Sequence, residues 1–273
     1  MVEYEKVSAL KVREIMETDF PKVDKNDTLY HAVKIMDKYG YDRVVVLEHG
    51  KIVGIATKKD IIMKLGTQRT RNVTPSRMHV SSFMTPNPIT TNPEELVVKV
   101  AKTMVDKEIS SLPVLEEEEL VGLVTKKNIA RLLEDLEIPV RDIMSSSPTV
   151  LRLTDRVLHA RQLMLSNNLT FIPVVDNDGR VIGSISIDEV ADALFAFHDI
   201  VPAKHRKERI MHLLVSDVMR LRPPKVPPTA PLGEVVREML DKEYRGAIIV
   251  DNDDKPIGVV TLTDLTEYVA TLG

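Results

Sequence analysis

The sequence predicts an α/β (α+β) fold made of four β-α-β-β-α repeats that pair into two modules. A shared signature and two constant spacings predict it, because internal repeats at a fixed register indicate a repeat architecture. A signature of the form Val-x-x-apolar-Met occurs four times, a second methionine follows each signature methionine after 20 residues, and a glycine follows it after 38 or 39 residues. The signatures are residues 12–16, 80–84, 140–144 and 215–219, the second methionines are Met36, Met104, Met164 and Met239, and the glycines are Gly54, Gly122, Gly183 and Gly258.

The first helix of each repeat is predicted to be amphipathic. Apolar residues spaced i, i+4 and i+7 form one buried stripe on a helix. This stripe is formed by Leu29, Val33 and Met36 in the first repeat and by Leu232, Val236 and Met239 in the last. We predict that Asp27, Asn92 (which is followed by a proline) and Thr154 cap three of these helices.

Two strands and a second helix complete each unit. Short apolar runs bounded by turn residues predict the strands, at 44–47, 113–115, 173–175 and 247–250. The next strand passes through the repeated glycine, as in 181–185. A unit of about 55 residues is small to fold alone. Because it also leaves one sheet face open, we expect the repeats to pack in pairs.

The lengths of the connections assign the pairs. We place the repeats at residues 8–66, 77–136, 137–197 and 212–273. Long connections join the first repeat to the second and the third to the fourth, whereas residues 134–139 join the second and third tightly. The module boundary is therefore predicted near Leu136.

Composition excludes several functions. The chain has 273 residues, of which 43% are hydrophobic, 29% charged and only 4% aromatic, and it has no cysteine. Disulfides, thiolate metal sites and a cysteine nucleophile are thereby excluded. A net charge of −4 gives no overall attraction to nucleic acid or acidic lipid. Because no apolar run is long enough to span a bilayer, and residues 1–10 include charged side chains, we expect a cytoplasmic protein without membrane contact.

The motif apolar-Gly-apolar-apolar-Thr/Ser-x-x-Asp, within a β-α-β-β-α unit, resembles the cystathionine-β-synthase (CBS) domain over nearly the whole chain. In that family two repeats form a disc-like module with two clefts, which often hold AMP, ADP, ATP or S-adenosylmethionine. Four repeats with nothing attached resemble the gamma subunits of AMP-activated protein kinase and stand-alone archaeal CBS proteins. The resemblance implies a non-catalytic regulatory sensor of adenosine nucleotides. The IMP dehydrogenase activity with which relatives are labelled needs a barrel and a cysteine that this chain lacks.

Two copies of the motif are complete, with Thr57 and Asp60 in the first repeat and Thr261 and Asp264 in the fourth. A carboxylate can accept hydrogen bonds from both hydroxyls of a ribose, and the start of a helix offers free N–H groups to phosphate. The threonine hydroxyl can assist with either group, and the glycine before it would let a ligand approach the strand. The alternative is a helix capping box, in which the threonine and the acid bond only to backbone N–H groups. Both roles can coexist.

The other two copies depart from the motif. The second repeat has Thr125 followed by Asn128, and the third has Ser186 followed by Glu189. An amide can bond one hydroxyl but carries no charge, and the longer glutamate needs the sugar to lie further out. We therefore expect one complete site in each module and about two bound nucleotides.

Arginines and valines complete the predicted sites. Arg43 and Arg245 precede the first core strand of their repeats, where the resembling kinase subunit has Arg or His, and we expect them to bind phosphate. The alternative for each is a solvated surface cation. We expect Val23 and Val226 to contact adenine, although they would be core residues in any case.

Two rival functions stay open. Residues 204–209 are basic and could bind nucleic acid, although Glu208 dilutes the charge and aromatic neighbours are few. Alternatively, the clefts are empty and the protein is a scaffold for a partner enzyme or a second copy. His198, His205 and His212 recur every seven residues, but Pro202 interrupts their helix, so we expect exposed linker histidines and no metal site. We expect no cofactor other than the nucleotide. We also expect the protein to form a homodimer and to regulate a partner protein.

Overall fold

The computed structural model describes residues 7–67, 69–70 and 72–273. Most of the charged N-terminus that argued against a signal peptide, residues 1–6, lies outside the described residues. The elements of the first two repeats are β1 (Lys22–Asp24), α1 (Leu29–Tyr39), β2 (Arg43–Glu48), β3 (Lys51–Thr57), α2 (Lys58–Lys64), β4 (Thr85–Pro86), α3 (Val97–Asp106), β5 (Ser111–Glu116), β6 (Glu119–Thr125) and α4 (Lys126–Arg131).

The third and fourth repeats have the same order of elements, with one more short strand before the first helix. These are β7 (Ser145–Ser146), β8 (Leu151–Arg152), α5 (Val157–Ser166), β9 (Phe171–Val175), β10 (Val181–Ser186), α6 (Ile187–Ile200), α7 (Ala203–Arg209) in the connection, β11 (Arg220–Leu221), β12 (Lys225–Val226), α8 (Leu232–Asp241), β13 (Gly246–Val250), β14 (Pro256–Thr261) and α9 (Leu262–Ala270). The predicted fold of four β-α-β-β-α units is confirmed.

The predicted apolar stripes are buried, but the predicted helix caps are wrong. The stripe residues of α1 and α8 are all between 0% and 3% exposed. The N-caps are Thr28 rather than Asp27, Leu96 rather than Asn92, and Arg156 rather than Thr154. Asp27 instead accepts a hydrogen bond from the N–H of Asp24 (2.8 Å), and Asn92 accepts one from the N–H of Glu94 (3.0 Å). These two side chains therefore stabilise the turns before the helices.

Paired repeats exchange strands. In the first repeat β1 runs parallel to β2, β2 and β3 form a hairpin, and β4 from the second repeat completes the sheet beside β3. In the same way β11 of the fourth repeat joins β10 of the third, and β7 of the third joins β14 of the fourth. In the second repeat, Glu17 of the first repeat bridges Leu123 on β6. The first and second repeats thus form one module, and the third and fourth form the other.

The repeated methionine and the repeated glycine form a single contact between paired repeats. The sulfur of Met16 lies 2.6 Å from the position that a Cβ on Gly122 would take, and the sulfur of Met219 lies 2.9 Å from such a Cβ on Gly183. The other two copies do the same, with Met84 on Gly54 and Met144 on Gly258. The glycine therefore admits a methionine from the paired repeat, and the predicted reason for it, close approach of a ligand, is not what the structure shows.

Helices join the two modules. One apolar core includes Ile61 and Ile62 of α2 together with Val190 and Leu194 of α6, so the first repeat packs against the third. A second core joins α3 and α4 of the second repeat to α8 and α9 of the fourth. Within each module the sheets also share apolar contacts, as between Leu123 and β2 and β3. Every repeat consequently packs against one repeat of its own module and one of the other.

The connection between the third and fourth repeats is less accessible than its composition indicates. Arg206 is 2% exposed and donates hydrogen bonds to the carbonyl oxygens of Val201 (2.7 Å), His198 (2.5 Å) and Val73 (3.1 Å). His198 is 1% exposed, and its Nδ1 lies 2.8 Å from the carbonyl oxygen of Leu194. The expectation of an exposed histidine at 198 is therefore wrong, because α6 buries it against its own backbone. Burial lowers the pKa of His198.

Candidate functional site

All four Thr/Ser-x-x-acid motifs form capping boxes at the start of the last helix of their repeat. Oδ2 of Asp60 accepts hydrogen bonds from the N–H and the hydroxyl of Thr57, both at 2.7 Å. Oδ2 of Asp264 accepts the same two bonds from Thr261, at 2.7 and 2.5 Å. The copies in the second and third repeats make equivalent bonds, Asn128 with Thr125 and Glu189 with Ser186. Capping occupies one oxygen of each acid, whereas Asn128 has no second oxygen to offer a ligand.

The second oxygen distinguishes the two complete motifs. Among the described residues, Oδ1 of Asp60 has no hydrogen-bond partner. Oδ1 of Asp264 accepts a 2.5 Å hydrogen bond from the hydroxyl of Ser145, which β7 carries into the cleft from the paired repeat. Burial raises the pKa of Asp60, an effect partly opposed by the hydrogen bonds from Thr57. Asp60 is therefore the acid with an available oxygen.

A cavity of about 390 Å³ lies where the four repeats meet. The N-terminal residues of the last helix of every repeat line it, including Lys59, Lys126, Ile187 and Thr263. Its charged lining comprises six cations and five acids: Arg43, Lys59, Lys126, Lys127, Arg131 and Arg245, with Glu17, Asp42, Glu108, Glu243 and Glu267. A pocket of this volume is within the range that binds small molecules.

Of the predicted site residues, the structure brings four to this cavity: Arg43, Thr57, Thr125 and Arg245. The structure places the other motif residues in their capping boxes but not in the lining of the cavity: Asp60, Ser186, Thr261 and Asp264. Val23 is 5% exposed and belongs to an apolar core with Met36 and Val44. Val226 is half-buried and lines a separate open groove of about 410 Å³ beside the hairpin of the fourth repeat.

The two predicted phosphate-binding arginines are already paired. Asp42 accepts hydrogen bonds from Nε (2.7 Å) and a terminal nitrogen (2.8 Å) of Arg43, and it also pairs with Arg245. Arg245 additionally binds both oxygens of Asp188, at 2.5 and 2.9 Å, and Arg43 reaches the hydroxyl of Ser110 at 3.1 Å. This network touches all four repeats. The arginines are therefore neither solvated nor available without a rearrangement or a competing anion.

Charge and burial shift the pKa values of the groups in this network. Burial would raise the pKa of Asp42, but Arg43 and Arg245 outweigh it and hold that pKa well below its usual range. Burial lowers the pKa of Lys126 to about 8, and although Glu267 opposes the shift, the charges of Arg43 and other nearby cations add to it. The nitrogen Nζ of Lys126 donates to the hydroxyl of Thr263 at 3.1 Å. The cavity thus contains a half-buried lysine whose cationic form would be favoured by an anion.

Three functional candidates were not predicted from the sequence. Asp42 joins the two modules, Lys126 faces the cavity, and Glu17 accepts a 2.8 Å hydrogen bond from Nδ2 of Asn128. The partners are far apart along the chain, so no local spacing signals them. The signal that could have found Glu17 is its position directly after the signature methionine, since that position enters the cleft of the paired repeat.

Neither a membrane span nor a metal cluster is found among the described residues. No helix within residues 7–67, 69–70 and 72–273 combines the length and the apolar character needed to cross a bilayer. In the same residues, His, Asp and Glu side chains do not gather in groups of three that could hold a metal ion.

Comparison with known proteins places this architecture. Two modules of strand-exchanged repeats around one charged cavity define a class of tandem-repeat proteins. The family model of the CBS domain matches residues 12–66, 80–135, 140–196 and 215–271. The chain belongs to the CBS domain family, as the resemblance predicted.

Archaeal proteins are similar to this chain over most of its length. The protein MJ1225 of Methanocaldococcus jannaschii is 25% identical over 195 residues, which are 66% of this chain and 68% of MJ1225. Its crystal structure, described as that of a proposed archaeal homolog of g-AMPK, superposes with a TM-score of 0.81 at 21% identity and covers 95% of this chain and 99% of MJ1225. An uncharacterized 33.4 kDa protein of Thermofilum pendens is 22% identical over 274 residues, covering 94% of this chain and 91% of the relative. These similarities establish the fold.

Proposed function

We propose that the protein is a non-catalytic regulatory sensor that binds AMP, ADP or ATP, about one nucleotide in each module. Asp60 and Asp264 accept the ribose diols, assisted by Thr57 and Thr261. The phosphates extend toward the central cavity. S-adenosylmethionine, which has a diol but no phosphate, is the alternative ligand of the same clefts.

One observation carries this proposal: the cations and the starts of the four last helices converge on one enclosed cavity. The helix dipole is positive at an N-terminus and favours anions there. In these four helices the first N–H is bonded to a backbone carbonyl and the capping box pairs another, so the dipole and the cations are the main attraction for an anion. Burial lowers the pKa of Lys126 to about 8, and the charges of nearby cations add to the shift. A phosphate would relieve that repulsion and remove the cost of burying the charge.

Phosphate contact by Arg43 and Arg245 requires an exchange of partners. Asp42 and Asp188 occupy their donors, so an incoming phosphate must compete with these carboxylates. Lys126 and Lys127 line the same cavity from the second repeat and make no carboxylate contact within 4 Å among the described residues. These lysines therefore join the two predicted arginines as the phosphate-binding groups.

The nucleic-acid alternative gains no support from the connection between the third and fourth repeats. Arg206, the central cation of residues 204–209, is buried and donates to three backbone carbonyls. The remaining cations form a smaller patch on one short helix, α7.

Calorimetric titration of the purified protein with AMP, ADP, ATP and S-adenosylmethionine tests the proposal. We expect saturable binding of at least one nucleotide, and absorbance at 260 nm after denaturation would reveal nucleotide retained through purification. A folded protein that gives no heat with any of these ligands, and that releases no nucleotide, contradicts the proposal and favours the ligand-free scaffold.

A further inference from the structure

Strand exchange places one equivalent residue of each repeat beside the acid position of its paired repeat. The residue that follows each signature methionine lies opposite the residue that follows the repeated glycine, five positions before the acid position. The four pairs are Glu17 with Leu123, Thr85 with Ile55, Ser145 with Val259, and Arg220 with Ser184. In two of these clefts the side chains are in direct contact, Ser145 with Asp264 (2.5 Å) and Glu17 with Asn128 (2.8 Å).

The second repeat therefore regains the carboxylate that its motif lacks. Oδ1 of Asn128 is occupied by the N–H and the hydroxyl of Thr125, at 2.8 and 2.7 Å, which is the capping role of Asp60 in the first repeat. Nδ2 of Asn128 donates to Oε1 of Glu17. The cap and the carboxylate, which one aspartate supplies in the first repeat, are here divided between two residues from two repeats.

Glu17 has the environment of a ligand-binding group. It is half-buried and lines the central cavity together with Thr125, Lys126 and Arg131. Its other oxygen, Oε2, accepts no hydrogen bond from the described residues. Among the same residues, no cationic side chain lies within 4 Å of either carboxylate oxygen of Glu17. A carboxylate held by a neutral amide, with one oxygen open and cations across the cavity, suits a vicinal diol attached to a phosphate.

We propose that the cleft of the second repeat is a third nucleotide site, in which Glu17 of the first repeat accepts the ribose diol and cavity cations bind the phosphate. This inference rests on the proposed function for its class of ligand, a 5′-nucleotide with a free 2′,3′-diol. The third repeat has no such arrangement, because Arg220 there donates to the carbonyl oxygens of Lys242 and Glu243 and stacks on Tyr244.

The test uses variants that leave the capping boxes intact. The double variant Asp60→Asn/Asp264→Asn removes both motif carboxylates, and Asn128 shows that asparagine preserves the cap. Titrated with AMP, this double variant keeps one site of undiminished affinity, while its two motif sites bind more weakly. Adding Glu17→Gln, which can still accept the bond from Asn128, weakens that site about tenfold or more, since a bond to a charged acceptor is lost. Replacing AMP by 2′-deoxy-AMP in the double variant has a similar effect.

Controls separate this inference from the proposed function. Glu116→Gln, at an exposed hairpin end of the second repeat, makes the same charge change and leaves AMP binding by the double variant as it was. If the wild-type chain binds two nucleotides and the double variant none, the third site is refuted while the proposed function stands. Unchanged AMP binding after the addition of Glu17→Gln also refutes it. If the wild-type chain binds no nucleotide at all, the proposed function itself fails.

Discussion

The two modules are built from the same repeat but contribute unequally to the cavity between them. Five of the six lining cations belong to the first module, and Arg245 is the contribution of the second. The acid of the first complete motif, Asp60, has an open oxygen, whereas that of the second, Asp264, is bonded to Ser145. Equal motifs in a sequence therefore do not give equal sites, because the paired repeat and the opposite module decide what surrounds each motif.

The largest expected effect comes from removing the link between the modules. Asp42→Asn leaves Arg43 and Arg245 without the carboxylate that they share. The loss is costly because all three side chains are at most 15% exposed. Breaking such a buried network costs about 3–5 kcal/mol of unfolding free energy. Urea denaturation measures it, with the exposed Asp178→Asn as control. We expect inorganic phosphate or ADP to restore more stability to this variant than to the wild type, and equal stability of the two proteins would contradict the bridging role.

The methionine–glycine contact at Gly183, in the second module, should also differ from the other three. A Cβ at Gly183 would lie 2.8 Å from the backbone oxygen of Arg220, which cannot move freely. A Cβ at Gly122 would meet the flexible end of Met16 first. We expect Gly183→Ala to cost roughly 2–3 kcal/mol and Gly122→Ala about 1 kcal/mol. Thermal or chemical unfolding measures both.

A double-mutant cycle checks this explanation. Met16→Ala should relieve much of the cost of Gly122→Ala, whereas Met219→Ala should leave most of the cost of Gly183→Ala in place. The reverse order of costs would show that backbone rigidity is not the deciding factor.

The two complete acids should contribute unequally to nucleotide binding. Asp60→Asn should weaken the tightest site about tenfold, since it removes a charged acceptor but keeps the cap. Asp264→Asn should have a smaller effect because one oxygen is already bonded to Ser145. Asp60→Ala should in addition lower stability by about 1 kcal/mol through loss of the cap. If Asp60→Asn leaves the affinity unchanged in calorimetry, Asp60 is a capping residue alone.

Nucleotide affinity should fall as the pH rises through about 8. Phosphate stabilises the cationic form of Lys126, whose pKa is lowered to about 8 in the free protein. At pH 9 only about a tenth of the free protein carries this charge, so the affinity should decrease by up to about tenfold between pH 7 and 9.

The stability of the free protein should change in the opposite direction. Unfolding restores an ordinary lysine pKa, so the unfolded chain binds more protons above pH 8 and the free energy of unfolding rises with pH there, as the cost of keeping Lys126 charged in the folded protein disappears. Loss of affinity therefore cannot be attributed to unfolding through Lys126. Lys126→Met should bind more weakly at pH 7 and show little change with pH, and a pH dependence that persists in this variant contradicts the assignment.

The smallest effect is expected at Ser145. Ser145→Ala frees Oδ1 of Asp264 and should raise the affinity of the second module about two- to threefold, which is less than the worth of one hydrogen bond. Ser146→Ala, at the neighbouring exposed position of β7, is the matched control. A lower affinity in Ser145→Ala would mean that the serine itself binds the ligand.

Much of the fold could be predicted from the sequence, since periodicity and register are local properties. The stripes of α1 and α8 and the hairpins follow from spacing alone. The helix caps could not be predicted in this way. Asp27 and Asn92 suit a turn as well as an N-cap, and only the course of the backbone in three dimensions decides between the two. Of the site, the motif positions were visible, but Asp42 with Arg245 and Glu17 with Asn128 are separated by 203 and 111 residues. Such contacts depend on how whole repeats pack.

The exchange of methionines has a consequence for how such chains can change in length. A repeat without a partner would have no methionine packed against its glycine, and its own methionine would have no glycine to pack on. A chain with an odd number of repeats would therefore have both packing defects in its unpaired repeat. Duplication or deletion of this architecture is therefore tolerated in steps of two units. Cleaving the chain between two paired repeats should yield two fragments that associate with each other.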